Sequence, residues 1–294
     1  MHMKVFVPAS SANLGPGFDC FGVAWQLYNE LEFIPGGESL VISGCDEKYR
    51  GADNLAYRAY CSVLERAGLK PEPLRINFLR SDIPISRGLG SSSALLVGGV
   101  IAANSLHSLG MSRDELFSLA TALEGHPDNV APALYGGLTA SAVEAGIPLS
   151  VCYPLSPLLH FTALVPPYEL STALSRRVLP HDVPRADAIF NVSRAALLIS
   201  ALGCGDVRLL RAAMADRLHE PYRIPLIDGY DTARSLAHKC GAEAMCISGA
   251  GSTLLCVAAD DGFSARIEAD LAAVLPGWRV IPLLPELEGA HTEV

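Results

Sequence analysis

The chain has 294 residues, half of them hydrophobic and 18% charged, which is ample for a large core and excludes a disordered or fibrous protein. Its formal net charge of -9 excludes a non-specific grip on nucleic acid or on an anionic membrane, so an anionic ligand has to be met by a local site. The eight cysteines, at 20, 45, 61, 152, 204, 240, 246 and 256, form no C-x-x-C pair and lie mostly among apolar residues, the pattern of reduced thiols in a cytoplasmic protein.

In chain order, 4–8 forms a short strand that enters 9–22, a stretch so rich in Gly, Pro and Ser that an irregular loop is expected. The N-terminal residues turn polar before a signal-like apolar core forms, and no later apolar run is expected to reach the length of a membrane span. Segments 27–34 and 40–43 read as a hairpin joined by Pro35, Gly36 and Gly37. Helical spacing then runs over 54–68, with Asp53 as N-cap and Gly68 as stop. A strand is expected over 74–79, and 94–103 reads as a helix apolar on nearly all sides, hence deep in the domain.

Ser112 and Glu115 make a capping box for a helix that runs to about Glu124 and breaks at Gly125, His126 and Pro127. A short resumption over 128–137 and a strand over 138–142 follow. The composition shifts toward proline around 150–170, and 161–166 is expected to be the first strand of a second half. Helices over 186–202, 206–218 and 229–239, strands over 244–247 and 254–258, a helix over 264–274 and a last strand over 278–283 complete the expectation of an α+β protein.

The stretch 84–94 joins strand to helix through glycines and hydroxyls and reads as a phosphate cradle. The free N–H groups and positive dipole end of the following helix would face the loop, and glycines at 88 and 90 would let the backbone approach an anion. A glycine-containing turn capped by serine is the competing reading. Two other glycine-rich stretches lie far off, at 9–22 and 248–253. No G-K-[ST] follows the glycines, and G-L-G-S-S-S misses the Rossmann spacing, so the residues alone indicate an anion-binding α+β protein, with a kinase as one option.

As strings, these stretches say more. Pro84-x-x-x-Gly88-Leu89-Gly90-Ser91-Ser92-Ser93-Ala94 resembles the second signature of the GHMP small-molecule kinases, 8–19 resembles the first in the form typical of homoserine kinases, and Ser248-Gly249-Ala250-Gly251-Ser252-Thr253 resembles the third. The segments 124–132 and 175–180 are similar to homoserine kinases as well. Ser252 departs from the family, which usually has proline there.

The resemblance implies a two-part fold, with an ATP-binding subdomain over 1–155, a second subdomain over 156–294 and the site in the cleft between them. It implies ATP on Asn54, Pro84, Ser86, Arg87, Gly88, Leu89, Gly90, Ser91, Ser92, Ser93 and Ala94, with Mg²⁺ on Ser92 and Glu124. Asn13, Asp19, His126, Asn129, Arg176, Arg223 and Gly249 would bind L-homoserine, with Asp19 on its ammonium and the arginines on its carboxylate. Arg176 and Asp128 would serve catalysis, Asp128 as proton acceptor. A homodimer free of membrane and nucleic acid is implied too. Two alternatives stay open: a kinase of another small alcohol, and a non-catalytic nucleotide-binding regulator on the same fold.

Overall fold

The longest strand, Phe21–Pro35, organises the first of two sheets in the computed structural model, which describes residues 2–293. In chain order the first part comprises β1 (Met3–Ala12), β2 (Phe21–Pro35), β3 (Val41–Ser43), α1 (Leu55–Arg66), β4 (Leu74–Ser81), α2 (Ser91–Leu106), α3 (Arg113–Glu124), α4 (Val130–Tyr135), β5 (Leu138–Glu144) and β6 (Ile147–Tyr153). Then come β7 (His160–Val165), α5 (Thr172–Arg177), α6 (Arg185–Cys204), α7 (Val207–Ala213), α8 (Glu220–Arg223), α9 (Tyr230–Lys239), β8 (Ala242–Ile247), β9 (Leu254–Ala258), α10 (Phe263–Val274), β10 (Arg279–Leu283) and β11 (His291–Glu293).

The first sheet runs β11-β1-β2-β4-β3, and β2 is long enough to pair β4 with its second half and β5 with its first, β5 in turn pairing β6. The second sheet is β10-β7-β9-β8, antiparallel throughout. Its strands separate two cores by their period of two. Phe161, Ala163, Val165, Leu255 and Val257 join the core of the first sheet, where the Trp25 and Phe161 rings lie 5.0 Å apart. Leu164, Leu254, Cys256 and Ala258 pack instead with Phe263, Ile267 and Leu271 of α10. Burial on both faces explains why 254–258 reads as a continuous apolar run.

Several expectations are corrected. The hairpin over 27–43 does not form: β3 pairs parallel with β4, because β4 takes the edge of β2 that β3 would need. Ser10, Ser11 and Ala12, assigned to a loop, belong to β1, which continues past a register shift at Pro8. Asn54 and not Asp53 caps α1, its Oδ1 accepting from the amides of Ala56 and Tyr57. The helix over 206–218 stops at Ala213. Strands β6 and β11 were not anticipated, and β11 returns the chain end to β1. β11 is three exposed residues with little pattern to read, whereas β6 alternates Ile147, Leu149, Val151 and Tyr153 with smaller residues, a period-two signal that was missed.

Contrary to expectation, α6 has the length and mean hydropathy, 1.3, of a membrane span. Its polar residues are placed for a folded domain: Asp187 pairs with Arg217, and buried Asn191 donates to Asp216 at 2.6 Å.

Glu220, at the start of α8, is buried and accepts the Ile247 amide at 2.7 Å. Burial pushes its carboxyl up to about 8. The fold therefore binds this proton more tightly than the unfolded chain does, and stability falls as pH rises from the ordinary carboxylate range through about 8. Glu220→Gln keeps the amide acceptor and cannot ionise. Thermal melts at about pH 9 should show it several degrees above the native chain, at roughly 2–4 °C per kcal/mol, with the gap closing in mild acid. A gap independent of pH would refute this.

Candidate active site

The three glycine-rich stretches meet. The Ser10 amide donates to the Leu89 carbonyl at 3.2 Å, Thr253 N to Arg87 O at 3.1 Å and Gly249 N to Ala12 O at 2.9 Å. Ser248 Oγ, buried between them, reaches both Ser11 Oγ at 2.7 Å and Gly88 O at 2.6 Å. The free edge of β1 is what brings them together, since it offers backbone groups to both the 84–94 loop and the 248–253 turn. A cavity of about 540 Å³ opens over this junction, at the N-terminus of α2.

Within 84–94 the wall is formed by Ile85, Ser86, Arg87, Gly88, Gly90, Ser91 and Ser92. Pro84, Leu89, Ser93 and Ala94 do not reach it. Leu89 and Ala94 are fully buried and root the loop in the core, which is why it can hold a fixed shape. Gly88 and Gly90 take left-handed φ values of +80° and +72°. Gly90 is the N-cap of α2 and supplies no side chain, so the amides of Ser91, Ser92 and Ser93 have no partner among the described residues. Amides in that state at the positive end of a helix form an anion site. Ser92 Oγ and Ser93 Oγ donate to the two oxygens of Glu124, each at 2.7 Å. Glu124 ends α3, held there by the left-handed C-cap Gly125.

Arg87 is turned away from the cradle. Its guanidinium donates to the carbonyls of Ile85, Pro166 and Pro167, at 2.9, 3.1 and 2.9 Å, and ties the loop to the end of β7. Asn54 lines the cavity, yet its amide is committed to capping α1 and to the Tyr49 carbonyl.

At the other end, Arg176 forms a two-pronged pair with Asp19, Nη1 to Oδ2 at 3.0 Å and Nη2 to Oδ1 at 2.7 Å. The hydrogen bond to Asp19 holds the Arg176 guanidinium above its usual range. Arg223 is 1% exposed, and burial, then the charge of Arg176, pulls its pKa down to about 10, so it remains a cation at neutral pH. It donates from Nε to Ser175 O at 3.2 Å and from Nη1 to Gly249 O at 3.1 Å, while Nη2 makes no hydrogen bond among the described residues. Asn13, His126, Asn129 and Gly249 join both arginines on the wall. Asn13 Oδ1 takes the Asp19 amide at 2.8 Å, and Asn129 Oδ1 takes Ser10 Oγ at 2.9 Å.

Asp128 is fully buried behind His126 and does not line the cavity. Its Oδ1 lies 2.6 Å from His126 Nδ1, and its Oδ2 has no partner. Burial opposes the charged form of His126, but the hydrogen bond and charge of Asp128, with the charge of Glu124, outweigh it and raise the pKa. Lys48, Tyr49, Phe78 and Ile83 also line the cavity and were not anticipated. They come from separate turns and strands, and no string in the sequence joins them to the glycine-rich stretches.

A phosphate-shaped loop beside paired ionic groups narrows the chemistry, and comparison with known proteins decides the family. The GHMP kinases N terminal domain matches residues 54–137, and the GHMP kinases C terminal domain matches 195–277. The chain belongs to the GHMP kinases. A homoserine kinase of Clostridium botulinum (strain ATCC 19397 / Type A) is 42% identical over 280 residues, 95% of this chain and 94% of the relative. One from the Alaska E43 / Type E3 strain is 41% identical over 291 residues, 98% and 97% of the two chains. Among solved structures, homoserine kinase from Cytophaga hutchinsonii superposes with a TM-score of 0.89 at 28% identity, covering 99% of this chain and 97% of that one. L. major mevalonate kinase, at 16% identity and a TM-score of 0.73, shares the fold. Within the GHMP kinases, then, this enzyme falls with the homoserine kinases, and the α+β expectation holds.

Proposed function

We infer that this GHMP kinase transfers the terminal phosphoryl group of ATP to the side-chain hydroxyl of L-homoserine, giving O-phospho-L-homoserine and ADP for threonine synthesis. The observation that carries the choice of acceptor is the Asp19–Arg176 pair with buried Arg223, the two arginines sharing one cavity wall with the phosphate cradle. A zwitterionic amino acid can exchange into that pair, its ammonium on Asp19 and its carboxylate on the arginines. An uncharged alcohol would leave Arg223 without a counter-charge. Asp19→Asn should raise the KM for homoserine by about 10²-fold, the size of a lost charged hydrogen bond, with the KM for ATP within about 3-fold of native. Equal effects on both would sink the assignment.

Phosphoryl transfer depends chiefly on alignment and on neutralising the phosphoryl oxygens. The α2 amides and the glycine backbone are suited to the phosphates, and Arg176 stands near enough to the acceptor end to serve both substrate and charge. Ser92 and Glu124 would hold Mg²⁺. Their hard oxygens fit it, and water and substrate phosphate would complete its shell. When bound, the ion neutralises phosphate charge. We keep ATP on the 84–94 loop, the subdomain division near 155, a cytoplasmic location and a homodimer as parts of the same reading.

Asp128, expected as the proton acceptor, is buried off the cavity wall, so we assign the proton to the ring of His126, with Asp128 as the group that holds and charges that ring. With Nδ1–H donated to Asp128, Nε2 presents its lone pair to the cavity and can take the hydroxyl proton as the new O–P bond forms. Asp128→Asn removes the charge that raises the His126 pKa, so the acidic limb of the kcat profile should move to lower pH while the plateau drops by about 10²-fold or more. Turnover unchanged at every pH would send the proton directly to the phosphate instead.

A further inference from the structure

His219 is fully buried and has no part in the reaction described above. Its Nε2 lies 2.8 Å from the Gly15 carbonyl. A carbonyl only accepts, so Nε2 carries the proton. Nδ1 is then a lone pair, and the donor facing it, at 3.3 Å, is Nη1 of Arg223. The ring is therefore neutral and polarised in one direction, with the first glycine-rich loop on one nitrogen and the buried guanidinium on the other. The charges around it agree. Burial and Arg223 push its pKa down against the pull of Asp216 and Asp19. Asp216 Oδ2 stands 3.8 Å from Nε2 and already accepts the amides of Leu218, His219 and Glu220, so it fixes the backbone at the start of α8 and leaves the ring to Gly15.

The face of the same ring stacks on Phe18, with centroids 5.3 Å apart and planes 25° from parallel. Phe18 in turn lies under both guanidinium groups, 5.1 Å from Arg223 and 5.8 Å from Arg176. One imidazole thus touches Gly15, Phe18 and Arg223, which belong to loop 13–20 and to α8 and are about 200 residues apart in sequence. Nε and Nη1 of Arg223 are consumed by Ser175, Gly249 and His219, which leaves Nη2 without a hydrogen bond among the described residues, on a side chain that lines the cavity.

We propose that His219 is a positioning residue for recognition of the substrate carboxylate: its neutral Nε2–H form bridges Gly15 to Arg223 and aims the free Nη2 of Arg223 into the cavity. This rests on Arg223 as carboxylate receptor. Substrate selectivity for an α-carboxylate is then set partly by a side chain that does not touch the substrate.

The test compares His219→Gln, which keeps a donor and an acceptor, with His219→Leu, which keeps neither, using homoserine and 3-aminopropan-1-ol, its analogue without the carboxylate. For His219→Leu we expect the homoserine KM to rise by about 10–50-fold, the range of one or two lost buried hydrogen bonds, with kcat and the ATP KM within about 3-fold. The kcat/KM for the analogue should not change, and His219→Gln should restore the homoserine KM to within about 5-fold of native. Losses that fall equally on homoserine, the analogue and ATP, or a Gln variant as impaired as Leu, would overturn the role and leave His219 as packing. Should His219→Leu fail to fold, as judged by its thermal melt, the Gln variant and an Asn variant carry the test through the same split. Arg223→Met is the control: a homoserine KM unmoved by it overturns the carboxylate receptor itself, whereas a large rise there with none in the folded His219 variants overturns only His219.

Discussion

Glu124→Ala is expected to lower kcat by about 10²–10³-fold, because it removes a proposed ligand of the Mg²⁺ that would neutralise phosphate charge in the transition state. The carboxylate accepts Ser92 and Ser93 in the free enzyme, at 2.7 Å each, so the substitution also frees two hydroxyls beside the α2 N-terminus. Ser92 can turn to water, but Ser93 is fully buried and loses its acceptor, so the melting temperature should fall by roughly 2–6 °C, at about 1–2 kcal/mol for the unsatisfied hydroxyl. The apparent Mg²⁺ requirement should rise in a steady-state titration at fixed ATP, while the KM for homoserine stays within about 3-fold, because Glu124 does not contact the Asp19–Arg176–Arg223 end. Glu124→Gln separates charge from shape: it keeps an acceptor for Ser93, and if it retains native turnover and Mg²⁺ dependence, the carboxylate is only a cap for the two serines.

Gly88→Ala should cost much stability. A Cβ there would lie 2.1 Å from the Ser248 carbonyl oxygen and 2.9 Å from that of Gly251, both rigid backbone, at a φ of +80° that L-residues avoid. The combined strain and clash should cost roughly 3 kcal/mol or more, and the melting temperature should fall by roughly 6–12 °C at about 2–4 °C per kcal/mol. Gly68→Ala is the reference, since it has a φ of +72° with nothing within 4 Å of the added atom. It should lose only the backbone part, about 1 kcal/mol. Because the clash is with the 248–253 turn, Gly88→Ala should also raise the ATP KM. A Gly88 variant no less stable than the Gly68 variant would mean the two loops are not in contact.

Much of the framework was legible. The capping box at Ser112 and Glu115, the stop at Gly125 and the helix over 264–274 are local signals, and local hydrogen bonds formed them. Elements whose partners lie far off in sequence were misread. Segments 27–34 and 40–43 have the composition of a hairpin, yet the choice between β2 and β4 as partner for β3 is a tertiary one. The strand character of Ser10, Ser11 and Ala12 was hidden because small polar residues have little β-propensity of their own. They are extended because β2 covers one edge of the strand, while loop 84–94 and the 248–253 turn cover the other.

By itself, then, the sequence determined a large α+β chain, the three glycine-rich strings and, through their resemblance to a family, a kinase that carries Asp19, Arg176 and Arg223. These are properties of residue type and spacing, and they survive without coordinates. Tertiary structure alone decided how each side chain is spent. Arg87 looked like a phosphate ligand and is used up on three carbonyls, while Leu89 and Ala94 lie in the core beneath the cradle. His219 carries no motif at all. It became visible only when the fold set Gly15 and Arg223 on its two nitrogens, because the direction of a hydrogen bond depends on which groups are neighbours in space.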